Sequence, residues 1–318
     1  MLSTLIGSRL PQKYRKYFKL PKQPESWKIA ATGDTALGRA ATSWLASRDK
    51  PCGVFRLDLG LDALGIRLGL IEHAERTIDI QSYLISDDLS GNLVAMKLVD
   101  AADRGVRVRL LMDDALTEPI DAGLITLDQH PHISVRVFNP FPRRRSRFIA
   151  LIAYFNILNR RMHNKLLVAD NHVAVSGGRN IGDEYFGLAK KYNFSDLDAI
   201  VTGQVVTDLS VSFDEYWNSE VAYPAQYLSR WEQEHHIEWL RNNQSRYLAK
   251  HAETLQSYPI GPAAWEDDLR GLVARLVPGD AQVVQDEPIA IDGEEVRVVD
   301  ILEHLTADTP SEHEILIS

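Results

Sequence analysis

The sequence predicts an α/β fold, with helices flanking a mixed, largely parallel sheet, and two observations carry that expectation. Between residues 61 and 138, segments with apolar residues at helical spacing alternate with short segments of period two, the pattern of strands joined by crossover helices. The composition, 45% apolar and 25% charged over 318 residues, is that of a globular chain; it excludes a disordered, collagenous or multispan membrane protein.

Residues 1–50 read as a basic lead-in carrying Arg9, Lys13, Arg15, Lys16, Lys19, Lys22 and Lys28. The apolar run near Met1 is only a few residues long and no cleavage pattern follows, so no signal peptide is read here. The segment is either a solvated lead-in or an arm attracted to anionic lipid. Order starts near Cys52, the single cysteine, which excludes an intrachain disulfide and a Cys-based zinc site. Leu61 to Ala74 places Leu64, Leu68 and Ile71 on one helical face, and Thr77 to Leu84 alternates as a strand. Asn92 to Arg104 is a helix closed by Gly105, followed by a strand from Val106 to Met112 that ends in Asp113-Asp114. Adjacent strand residues face opposite ways, so that acidic pair reads as structural rather than as a metal site. Pro119 to Leu127 reads as a short helix and Ile133 to Phe138 as a strand stopped by Asn139-Pro140.

From Ser134 to Lys165 there are eight cations and no acid, and within them Phe148 to Leu158 is apolar except for Asn156. As a helix those residues span about 16 Å, too short for a hydrocarbon core of about 30 Å. Either this is a core helix with solvated flanks, or Arg143, Arg144, Arg145, Arg147 and Phe148 contact an anionic membrane surface.

The most informative string is Met162-His163-Asn164-Lys165-Leu166-Leu167-Val168-Ala169-Asp170, followed after six residues by Gly177-Gly178-Arg179-Asn180. On a strand, His163 and Lys165 share a face, which sets a nucleophile beside a cation. Asp170 has the opposite parity and stands with Asn171 where a hairpin would turn, so it braces that turn. The returning strand, Val173 to Ser176, ends at two glycines that let the backbone approach a ligand, and Asn180 opens the next helical segment. His163, Lys165, Gly178 and Asn180 are therefore expected to gather on one phosphate.

This composite resembles the signature of the phospholipase D superfamily, the H-K-D motif with its Gly-Gly-x-Asn extension. Ile78 to Tyr83, Arg104 to Asp114 and Arg179 to Phe186 resemble the bacterial cardiolipin synthase branch, its C-type subgroup in particular. The resemblance implies catalytic residues His163, Lys165, Asp170, Asn180 and Asp196. In it, His163 attacks phosphorus and forms a phosphohistidine, and a second motif histidine protonates the leaving alcohol. Lys165 and Asn180 hold the non-bridging oxygens, Asp170 supports, and Asp196, with Asp198 beside it, orients the histidine. No metal and no other cofactor is implied.

No second H-x-K follows, yet Leu70-Ile71-Glu72-His73-Ala74 is similar to Ile301-Leu302-Glu303-His304-Leu305, and Thr77 to Ser82 to Glu314-Ile315-Leu316-Ile317-Ser318. The expectation is three regions: the lead-in 1–50, a phospholipase D-like repeat one at 51–222, and a helical and acidic linker at 223–318 running into a barely begun second repeat. That linker holds Trp231 and Trp239, read as packing residues, and residues 261–318 carry 14 acids against 3 bases of the chain's 44 and 35. The net charge of -9 thus belongs to the tail, and the first 260 residues are near neutral. The implied partners are anionic glycerophospholipid, a membrane surface, and either a second-half polypeptide or a second copy. The implied place is the bacterial cytoplasm or the inner-membrane surface, as a peripheral protein. Two other readings stand beside phosphatidyl transfer or phospholipid hydrolysis: a superfamily nuclease acting as a homodimer, and an inactive remnant. Nucleic acid is disfavoured because no broad basic groove with stacking aromatics is visible.

Overall fold

A computed structural model describes residues 24–114, 121–140, 161–227, 236–256, 271, 273–286 and 288. The basic apolar stretch at 143–148, Trp231 and the start of a second repeat at 301–318 lie outside the described residues. The strands are β1 (Cys52–Leu57), β2 (Thr77–Ser82), β3 (Arg107–Asp113), β4 (Ile133–Phe138), β5 (Leu166–Ala169), β6 (Val173–Gly177), β7 (Asp198–Gly203), β8 (Ala222–Pro224) and β9 (Val277–Gly279). They form one sheet in the order β8-β4-β3-β2-β5-β6-β7-β1-β9. The helices are α1 (Ala36–Ala46), α2 (Gly60–His73), α3 (Leu89–Asp103), α4 (Asp121–Leu127), α5 (Asp183–Phe186), α6 (Gln204–Trp217), α7 (Ile237–Lys250) and α8 (Ala252–Gln256).

The expected mixed sheet flanked by helices is what forms, with one correction: parallel pairing is confined to β2-β3 and β3-β4, and the other six described pairings are antiparallel. The reason is connection length. Crossover helices α3 and α4 carry the chain back to start β3 and β4 in the same direction, whereas β5 returns to β6 through a tight turn. In that turn Asp170 and Asn171 have φ of 50° and 55°, the left-handed pair that such hairpins need.

Helices α2 and α3 cover one face, where Leu64, Leu68, Ile71, Leu93 and Leu98 bury against Ile78, Ile80, Val108 and Leu110. Helix α6 covers the other, packing Phe213 and Trp217 over Val168, Ala174 and Val201. Removing each of those two rings from water contributes roughly 2–3 kcal/mol. Trp239 on α7 departs from the sequence reading: it stays 37% exposed, because its turn of the helix lies at the surface, while Leu240 and Leu248 take the packing role.

Residues 24–34 are mostly exposed, as expected of a solvated lead-in, but they are not loose. They lie as an extended strap, pinned by arginines of the sheet. Arg109 grips Asp79 with two bonds of 2.7 Å, pairs with Asp214 at 2.8 Å and donates to the Ser26 carbonyl at 2.6 Å. Arg136 donates to the Trp217 and Pro24 carbonyls at 2.6 and 2.8 Å. A buried guanidinium must find acceptors, and the strap's backbone carbonyls provide them. Burial brings the Arg136 guanidinium down to about 10.

Candidate active site

Strands β2 and β3 end, and β5 begins, at one edge of the sheet, and the candidate site stands there. The segment leading into β5 is clamped by Asp113, the last residue of β3. Its carboxylate accepts from Arg161 at 3.0 Å and from the Met162 amide at 2.9 Å, which fixes the backbone just ahead of His163. Beyond the end of β2, the Tyr83 ring lies 5.1 Å from the imidazole of His163. Neither Asp113 nor Tyr83 was among the residues assigned to the site from sequence. The signal for both was positional: each stands at the carboxyl end of a parallel strand, where open α/β sheets place ligands.

His163 is exposed and Lys165 is buried; both lie in the segment just ahead of β5, which begins only at Leu166, so they are not the two same-face strand residues expected from sequence. The Lys165 Nζ lies 2.7 Å from His163 Nδ1 and 3.1 Å from Nε2, and donates to the His163 carbonyl at 2.7 Å. Loss of solvent, then the charge of Lys165, hold the His163 pKa below its ordinary 6.5, against the opposing charge of Asp196. That shift favours the unprotonated imidazole, the form that can attack. Burial brings Lys165 down to about 8, with the carboxylates of Asp196 and Asp198 pulling the other way.

Those carboxylates explain the two glycines. A Cβ on Gly178 would overlap Asp196 Oδ1, and one on Gly177 would overlap Asp198 Oδ1. The amide of Gly178 is spent on the Leu197 carbonyl at 2.9 Å, and that of Gly177 on the Lys165 carbonyl at 3.3 Å. The sequence reading of Gly178 as a phosphate-binding residue is thus corrected: the space above it admits a carboxylate, and its N–H is not available to an anion. Asp196 reaches His163 and Lys165 through its charge, while its own hydrogen bond comes from the Leu197 amide. Asp198 is fully buried and pairs with Arg67 at 2.9 Å and Arg179 at 3.4 Å. Arg179 further donates to the carbonyls of Leu57, Asp58 and Tyr185. This floor of two arginines and an aspartate ties β1, α2 and the 179–187 segment together under the site.

Asn180 is buried. Its Nδ2 donates to the Tyr185 hydroxyl at 2.9 Å, and its Oδ1 has no hydrogen-bond partner. Asp170 is not brought to His163. It sits at the far end of β5, seven residues and roughly 20 Å of extended chain away, and accepts from the amides of Glu75, Arg76 and Thr77 at 3.1, 2.8 and 3.0 Å. It thus braces the turn between α2 and β2, and not its own hairpin turn as the sequence reading had it, because the carboxylate meets three free amides there. Among the described residues, no group of three or more His, Cys, Asp or Glu side chains is placed to hold a metal ion. No described helix is long and apolar enough to cross a membrane.

Set beside known proteins, residues 68–217 match the family described as cardiolipin synthase, PLD-like domain. Over 175 residues the chain is 49% identical to cardiolipin synthase C of Escherichia coli, covering 55% of this chain and 37% of that one. Over 149 residues it is 34% identical to the cardiolipin synthase of Oceanobacillus iheyensis, covering 46% and 29%. The matches thus span less than half the length of these relatives. A solved phosphatidylserine synthase from Haemophilus influenzae is 14% identical with a TM-score of 0.41, over 67% of this chain and 48% of that one, a likeness too distant to bear on the chemistry.

Proposed function

Because the chain carries a phospholipase D-like domain of the cardiolipin synthase kind over residues 68–217, we propose that it takes part in phosphatidyl transfer on glycerophospholipids, with His163 as nucleophile. The observation that supports this best is the pair itself: an exposed imidazole at the open edge of the sheet, with the buried Lys165 Nζ 2.7 Å from it. A ring nitrogen of His163 attacks the phosphodiester phosphorus, and the bond from phosphorus to the departing alcohol oxygen breaks. A second alcohol, or water, then attacks the phosphohistidine and frees the ring. Lys165 shifts from the imidazole to a non-bridging oxygen and stabilises the charge that builds there. Asp196 holds Lys165 in its charged form and steadies the imidazole as it becomes cationic.

The departing alkoxide needs a proton, and one H-x-K in 318 residues supplies one histidine. The general acid in this reading is a second H-x-K histidine, which these 318 residues do not supply. The test is acid-labile labelling from phosphatidylglycerol carrying radioactive phosphorus. The label is expected on the wild-type chain and absent from His163→Ala with its circular dichroism unchanged. Undiminished label on His163→Ala would overturn the assignment, and label from duplex DNA but not from phospholipid would make the chain a nuclease.

A further inference from the structure

The loop between α5 and β7 presents six consecutive exposed residues, 190–195, at the margin of the site. Among them Tyr192 is 63% and Phe194 46% exposed, two large rings side by side in solvent. They meet edge to face at 5.4 Å, and Phe194 continues onto Tyr185 at 4.9 Å. Leu59, also exposed, stands on the neighbouring turn: Gly60 lies so close to α5 that a Cβ there would come within 2.8 Å of the Phe186 backbone. Lys190 and Lys191 precede the rings and make no ion pair among the described residues. Nor is the loop loosely tethered. The Asn193 side chain bonds the Ala189 amide and carbonyl at 3.0 and 3.1 Å, and the Phe194 amide donates to the Glu184 carbonyl at 2.7 Å.

We infer that this loop docks the catalytic edge onto an anionic glycerophospholipid surface, with Leu59, Tyr192 and Phe194 entering the headgroup layer and Lys190 and Lys191 pairing with lipid phosphates. Aromatic rings beside lysines suit that layer, since the rings are apolar bodies with polar neighbours and the ammonium groups remain hydrated. The connection to the site is short. Asn180 holds Tyr185, Tyr185 lies tilted against Phe194, and Asp196 follows two residues later. A loop seated in headgroups therefore sets His163 near the level of their phosphates. A second copy fits this margin poorly, because a two-fold contact centred on it would oppose one lysine pair with another. The inference rests on the glycerophospholipid reading above.

Cys52 is fully buried, so Tyr192→Cys in the full chain takes a polarity-sensitive fluorophore at the loop. Its emission is expected to move to the blue with vesicles of mixed phosphatidylglycerol and phosphatidylcholine, and not with phosphatidylcholine alone. Lys190→Ser with Lys191→Ser should lower partition onto the mixed vesicles about 30-fold, while leaving hydrolysis of a water-soluble phosphodiester unchanged. Repeating the measurement with His163→Ala separates docking from chemistry. Docking that persists where phosphohistidine labelling has failed sinks only the functional reading; labelling without docking sinks this one. No shift, or a shift without vesicles that grows with protein concentration, also overturns it, the latter assigning the margin to a second copy.

Discussion

His163 and Lys165 work in opposite protonation states, and their surroundings open a window between them. The attacking imidazole must be unprotonated. Its lowered pKa keeps it so down to a pH below 6.5. The lysine must carry its proton, and burial makes it lose that proton near pH 8. The expected dependence of kcat/KM is a bell with its acid limb below 6.5 and its alkaline limb near 8. Lys165→Arg should remove the part of the alkaline fall that sets in near 8, since a guanidinium stays charged throughout, and leave the part set by the general-acid histidine. Rates of the wild type still climbing at about pH 9 would contradict the role given to Lys165. Lys165→Ala should cost roughly 3 kcal/mol of transition-state stabilisation, more than a hundredfold in kcat. The closeness of this pair was legible beforehand, because a spacing of two residues is local, whereas the strand expected to hold both begins only at Leu166. The clamp of Asp113 and the ring of Tyr83 were not, because both meet His163 only through strands paired across the sheet.

At the scale of elements, the motif divides into two jobs at two ends of β5. Asp170 satisfies three backbone amides where α2 turns into β2, so Asp170→Ala leaves them without their charged acceptor. Thermal unfolding should show a loss of roughly 3 kcal/mol, while folded protein still forms phosphohistidine. Full stability with abolished labelling would instead put Asp170 in the chemistry. The two glycines make a second element-scale prediction. Gly178→Ala should be strongly destabilising in the wild type, because the added methyl meets the Asp196 carboxylate, and much milder in an Asp196→Gly background. A double-mutant cycle reads that coupling, expected at about 1–3 kcal/mol. Additive effects would mean that the contact is not what requires glycine there.

For the whole molecule, the count of motif histidines has a kinetic consequence. If a second copy supplies the general acid, specific activity should rise with protein concentration, and added His163→Ala chains should depress it by forming mixed pairs. Activity proportional to protein concentration over a wide range, with the protein monomeric by light scattering, would remove the need for a second histidine. The strap at 24–34 belongs to this scale as well. It crosses buried arginines from β3 and β4, so the unity of the fold depends on contacts between residues some 80 to 110 positions apart.

The sequence by itself determined the alternation of helices with strands, the hairpin at Asp170-Asn171 and the closeness of His163 to Lys165, because periodicity, turn chemistry and a spacing of two residues act locally. Only the tertiary structure decided that most of the sheet runs antiparallel, that Gly177 and Gly178 make room for Asp198 and Asp196, and that residues 24–34 become a strap. Those outcomes turn on which distant groups meet. A buried arginine, a glycine without a Cβ and a strand edge each have several satisfactory partners in a sequence, and packing leaves them one.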